Sequence, residues 1–173
     1  YGLTDEMFMV KLVLSAHILR GVEMAFTIED MMVASRDKYR MELVAGQNGW
    51  SNSINWIIMI EDLTIISNFS GKELAVTTGL GFQTEERLME LVSSLVRHDS
   101  SGLIINTGKY IMEIPEEVRS YCEENDFPLL CVPWSVYLVD MIKDLSIRVF
   151  LQGTADEQVS DALIHAIEQP DAK

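Results

Sequence analysis

Four runs of the chain, residues 54–60 (INWIIMI), 74–77 (LAVT), 102–106 (GLIIN) and 127–132 (FPLLCV), are apolar with almost no polar alternation, and longer helix-patterned stretches separate them. A strand that is apolar on both sides is covered on both faces, and parallel strands require crossover connections that are usually helical. The pattern therefore predicts an α/β fold: a mostly parallel sheet with helices on both faces. Residues 83–98 carry the clearest crossover pattern, with Leu88, Leu91, Val92, Leu95 and Val96 spaced as one face of a helix. Pro115 opens the next, and Glu116 and Glu117 in its first turn suit the helix dipole. A third helix is expected from about residue 135 to 151, with Val139, Ile142, Leu145 and Val149 on one side.

The N-terminal boundary is marked by a capping box. Thr27 reads as N-cap and Asp30 as its N3 partner, and Phe26 and Met31 are placed as a hydrophobic staple, so a helix begins at Thr27 and covers about 27–37. Residues 43–45 then lead into a turn at 46–49 (GQNG). On this reading residues 1–25 are an extension, 26–151 are one α/β domain, and 152–173 are a C-terminal helix and tail. For the extension two readings stand open: an amphipathic helix over 6–20, or upstream sequence translated ahead of Met24. The tail carries a second capping box at Thr154–Glu157, followed by Val159, Leu163, Ala166 and Ile167 on one side of a helix. That stripe either folds back on the domain or forms a homodimer seam.

Composition excludes several functions. The chain has 173 residues, 27 acidic and 13 basic, for a net charge of −14. Such a field repels a phosphate backbone, and the basic residues form no patch that would override it, so nucleic-acid binding by this chain is not expected. Cys122 and Cys131 show neither a CxxC spacing nor a nearby His pair, which argues against zinc or a redox dithiol and for buried thiols. No run reaches the length of a membrane span. The early stretch FMVKLVLSAHIL lacks the basic start of a signal peptide, and a cytoplasmic location is expected. His17, His98 and His165 are far apart in sequence, no GxSxG occurs, and no catalytic, metal or cofactor site is expected.

The candidate site lies where strands end. Val76-Thr77-Thr78-Gly79 and Ile105-Asn106-Thr107-Gly108 are 29 residues apart, about one βαβ unit, and both end in Thr-Gly. If the two strands are parallel neighbours, Thr77, Thr78, Gly79, Gly81, Thr107 and Gly108 line one rim, with Glu61, Asp62 and Trp134 as neighbours. The carboxyl edge of an open α/β sheet is the usual ligand position. Two readings of the GLGF turn stay open: it cradles an anion on its backbone N–H groups, or it only lets the chain turn. Its Gly79-x-Gly81 lacks the third glycine of a dinucleotide fingerprint, because Thr84 stands there. Glu61-Asp62 likewise reads either as an acid–base pair or as a cap for the next helical turn.

Taken in order, TIEDMM, LVAGQNG, INWIIMIED, SGKELAVTTGLG, GLIINTGKY and FPLLCVPW resemble the N-terminal domain of PucR-type regulators, the purine catabolism regulatory protein-like family, over about residues 26–150. The resemblance implies a non-enzymatic, signal-sensing domain of a bacterial transcription regulator that binds a small, purine-derived effector. It also implies that the DNA-binding helix-turn-helix module is a separate part, absent from this chain. Family members often carry a His where this chain has Ile58, so any role of that imidazole does not transfer.

Overall fold

The computed structural model of the protein describes residues 25–152. The expected N-terminal helix at 6–20, the capping box at Thr154 and the stripe through Leu163 lie outside the described residues. The domain opens with helix α1 (Ile28–Tyr39), whose start follows the expected capping box: Thr27 Oγ1 accepts from Asp30 N–H, and the Asp30 carboxylate accepts from Thr27 N–H. The helix runs two residues past the expected end and stops where Arg40 adopts a left-handed conformation.

Strand β1 (Glu42–Ala45), a 3-10 turn (Gln47–Ser51), β2 (Trp56–Met59), a second 3-10 turn (Leu63–Asn68) and β3 (Glu73–Thr77) follow. Then come α2 (Glu85–Arg97), β4 (Gly102–Thr107), α3 (Glu116–Glu124) and β5 (Leu129–Pro133). A final helix, α4, occupies residues 138–152. The strands form one sheet in the order β1-β5-β4-β3-β2, in which β2, β3, β4 and β5 are parallel and β1 pairs antiparallel with β5. The expected α/β class, mostly parallel sheet and helices on both faces are all present.

Two cores sandwich this sheet. On one face Ala75, Leu103, Ile105 and Leu129 pack under Ile66, the α2 residues Leu88, Leu91, Val92 and Leu95, and the α3 residues Val118 and Cys122. On the other, Leu74, Val76, Ile104, Leu130 and Val132 pack under Ile28, Met31 and Met32 of α1 and Leu138, Met141 and Leu145 of α4. Adjacent residues of each strand thus go to opposite cores, which is why these strands tolerate no polar alternation. Polar fastenings hold α4 to the end of α1: Asp144 accepts from Tyr39 Oη at 2.7 Å and pairs with Lys38 at 3.1 Å. The Tyr39 hydroxyl, then Lys38 and Arg148, hold the Asp144 carboxyl below the usual aspartate range.

Two expectations are corrected. The 54–60 run is not a fully covered strand: only four residues pair, at the sheet edge, and Trp56 is 68% exposed. Ahead of Trp56, Ile54 N–H bonds Phe26 O and Asn55 N–H bonds Lys72 O, so this backbone is used for tying the edge strand down. The α4 stripe is also displaced. The helix starts at 138, and its deeply buried positions are Leu138, Met141 and Leu145, whereas Val139 is 59% exposed. Ile142 and Val149 lie at the margin of the buried face.

The topology also bears on the rim. The four parallel strands add in one direction without reversal, and the connections from β2 to β5 pack on a single face. An order reversal is what opens a crevice in doubly wound sheets, and this sheet has none among its parallel strands.

Candidate functional site

β3 and β4 are adjacent and parallel, so the two Thr-Gly ends do meet at one edge. Their register is not that of the sequence repeat. Thr77 pairs with Ile105, an offset of 28, whereas the repeat has a period of 29. Side chains alternate faces, so one residue of slip puts repeat partners on opposite sides. Thr77 lies on the α2/α3 side with Ile105, and Asn106 points to the other face, where its amide donates to Val132 O and Pro133 O.

The β3 end is closed from within. Glu61, just beyond β2, places Oε1 2.6 Å from Thr78 N and 3.3 Å from Thr77 Oγ1. The Thr77 hydroxyl also accepts from Gly79 N–H at 3.0 Å, so it relays a second turn donor to the carboxylate. Leu80 N–H donates to Thr78 Oγ1, and Phe82 N–H to Gly79 O. Gly79 has φ +86, which glycine adopts without strain. Gly81 is required for a different reason: a Cβ there would lie 2.1 Å from Glu61 O. Thr77 is fully buried, and Oε2 of Glu61 is buried without a hydrogen-bond partner.

Asp62 turns away from this cluster. It caps the 3-10 turn, accepting from Thr64 N at 2.7 Å and from the Thr64 hydroxyl at 2.5 Å. The Thr64 hydroxyl, then its N–H, lower the Asp62 pKa. The acidic pair is thus split between a loop lock and a cap.

The β4 end is open by contrast. Gly108 and Lys109 are exposed, and Gly108 N–H closes the turn on Ile111 O. Thr107 Oγ1 makes only a long contact, 3.5 Å, with Val132 O. Trp134 follows β5 and packs beside Gly108; its ring meets Tyr110 edge-on with centroids 5.6 Å apart. Lys109 Nζ sits 4.9 Å from the Trp134 centroid and 5.1 Å from that of Tyr110. Ile111 separates the two ends: it is buried, and its side chain occupies the space a Cβ on Gly79 would take. Glu61, Thr77, Thr78, Gly79 and Gly81 therefore form one group, and Thr107, Gly108 and Trp134 another.

Beyond Ile111 lies a cleft of about 270 Å³, lined by Phe82, Gln83, Thr84, Glu85 and Leu88 on one side and by Tyr110, Ile111, Met112, Glu113 and Pro115 on the other. Sequence reasoning missed most of these residues. The available signal was the eight-residue stretch between β4 and α3, long for a strand-to-helix connection and placed at the carboxyl edge. Loss of solvent, then the neighbouring Glu117 carboxylate, raises the Glu85 pKa. Burial pushes the Cys122 and Cys131 thiols up to about 12, which leaves them inert as nucleophiles near neutrality. Among the described residues no group of three or more His, Cys, Asp or Glu is arranged to hold a metal, and no helix is long and apolar enough to cross a membrane.

Comparison with known proteins gives concordant results. The chain is 27% identical over 101 residues to the purine catabolism regulatory protein of Bacillus subtilis (strain 168), a match that covers 58% of this chain and 19% of that protein. The match therefore spans about a fifth of the relative's length. The purine catabolism regulatory protein-like family matches residues 32–149, from within α1 to near the end of the described α4, and so takes in the whole sheet and both strand ends. With the family match extending over most of the chain, the protein belongs to the PucR, purine catabolism regulatory protein-like, family.

Proposed function

We propose that this chain is the signal-sensing domain of a purine-catabolism-type transcription regulator, located in the cytoplasm, and that a small effector docks in the cleft between residues 82–88 and 110–115. The observation that carries this reading is the cleft itself. It has an apolar floor of Phe82, Leu88, Ile111 and Pro115, and polar groups from Gln83, Thr84, Glu85 and Glu113 at its margins. Its volume of about 270 Å³ falls just below the range for drug-sized sites, roughly 300–1,000 Å³, which limits the occupant to a compact metabolite such as a purine breakdown product. Thr107, Gly108 and Trp134 form the adjoining open rim, whereas the Glu61 group acts behind it. The charge of −14 supports a division of labour in which DNA is contacted elsewhere in the regulator.

A thermal-shift screen of purines, ureides and related metabolites tests this. A ligand that binds only the folded state raises its stability by mass action. At least one compound is expected to raise Tm in the wild type, and to lose that effect in Met112→Asp, a change at an exposed position of the cleft wall. The absence of any shift at millimolar ligand overturns the reading.

A second reading, a ligand-free self-association module, rests on a separate observation. Val139, Ile147 and Leu151 of α4 are exposed on a helix whose other side is buried. Sedimentation of the wild type against Ile147→Asp separates the two: this reading requires a dimer that the substitution dissociates.

A further inference from the structure

We propose that the turn after β3 is a carboxylate-binding site whose resident ligand is the protein's own Glu61, tethered from the neighbouring strand. The turn offers a backbone N–H at Thr78 and a hydroxyl at Thr77, both directed at one carboxylate oxygen, and the hydroxyl is backed by Gly79 N–H. Charge-assisted hydrogen bonds of this kind are shorter and stronger than neutral ones, and the Thr78 contact of 2.6 Å fits that class. The positive φ of Gly79 turns the chain so that its own N–H backs the Thr77 hydroxyl rather than facing the carboxylate directly. Gly81 fixes the tether, because the turn lies directly against the Glu61 carbonyl.

The seat is only half satisfied. Oε2 is buried and has no hydrogen-bond partner. The matching end of β4 has no such occupant: its turn closes on Ile111 O and its glycine is exposed. Glu61 therefore keeps small carboxylates out of the β3 turn in the wild type, and its removal opens a site of complementary shape and charge. This holds whatever molecule docks in the cleft, so the effector screen and the following experiment can fail independently.

The test is chemical rescue. Wild type and Glu61→Ala are unfolded thermally in sodium formate and, at matched ionic strength, in sodium chloride. Formate is expected to raise the stability of Glu61→Ala in a saturable way and to leave the wild type unchanged. At ten times its Kd it should multiply the variant's folding equilibrium constant about elevenfold. If the alanine variant is unfolded without additive, formate is expected to restore a folded fraction that chloride does not. Equal responses of both proteins, or no formate response in the variant, overturn the proposal.

A second measurement does not depend on the alanine variant. In an amide NMR spectrum, Glu61→Gln is expected to move the Thr78 proton upfield as the charge-assisted bond becomes a neutral one. A Thr78 resonance unmoved by that substitution overturns the proposal as well.

Discussion

The ends of β3 and β4 carry nearly the same residues, Thr77-Thr78-Gly79 and Asn106-Thr107-Gly108, and have opposite characters. The first is locked, with its donors spent on Glu61 and on its own side chains. The second is open, flanked by Trp134, Tyr110 and an exposed Lys109. The local sequence does not make the difference. Each strand end is shaped by what the adjacent strand delivers: β2 delivers a carboxylate, and β5 delivers Pro133 and an indole. A motif at a sheet edge becomes interpretable only once its neighbours in the sheet are known.

The sharpest break of this contrast is a pair of glycine substitutions. Gly81→Ala drives a Cβ into the Glu61 carbonyl, backbone against backbone, and is expected to cost about 3 kcal/mol or more, by analogy with overpacking. Gly108→Ala meets its nearest atom, the Trp134 Cβ, at an ordinary 3.5 Å, so only the strain of φ +110 remains, about 1–2 kcal/mol. Urea unfolding of both variants measures this, and equal losses would erase the distinction between a packed end and an open one.

Side chains give a smaller contrast. Glu61→Gln leaves the shape but weakens two hydrogen bonds, at a cost of about 1–2 kcal/mol. Lys109→Ala removes an exposed cation lying over two rings and is expected to cost about 0.5–1 kcal/mol. The same unfolding experiment ranks them.

Acid extends the comparison to the opposite edge of the sheet. β3 begins at Glu73, a buried carboxylate that accepts from Ser70 N at 2.7 Å, from Gly71 N and from the Ser70 hydroxyl. Burial opposes ionisation, but these hydrogen bonds prevail and the pKa is lowered. Because the folded-state pKa lies below the unfolded one, the carboxylate's stabilisation is complete above the ordinary glutamate range. It is lost as pH falls through the folded-state value. β4 is preceded instead by Ser100 and Ser101, whose hydroxyls donate to Glu73 O and Ser53 O and do not titrate there. Glu73→Gln is expected to lower stability at neutral pH and to flatten its decline in acid relative to wild type. Parallel pH profiles for the two proteins would contradict this.

Much of the fold was legible because it rests on local signals. The Thr27 capping box, the α2 stripe and the uninterrupted apolar runs each correspond to an observed element. Less legible was whatever depended on lateral placement. That β1 would pair antiparallel with β5 has no local signature in ELVA, and neither does the edge position that leaves Trp56 exposed. Val139 lies outside the buried face because docking against α1 and the sheet, not the apolar spacing alone, decides which side of α4 is covered, and that side carries Leu138, Met141 and Leu145. At the rim, the strand ends were legible, but the 28-residue register was not, since pairing offset is decided between strands. Ile111 and the cleft beyond it depend on one connection folding against another, for which the sequence carries no periodic signal.

Amide hydrogen exchange at the two strand ends tests the contrast most directly. The Thr78 amide is expected to be protected nearly as well as the buried β3 amides, because its proton is held by Glu61, whereas the Lys109 amide in the exposed turn is expected to exchange far faster. A Thr78 amide that exchanges as quickly as Lys109 would mean that the β3 turn is not locked, and the division of the rim into a closed and an open half would not hold.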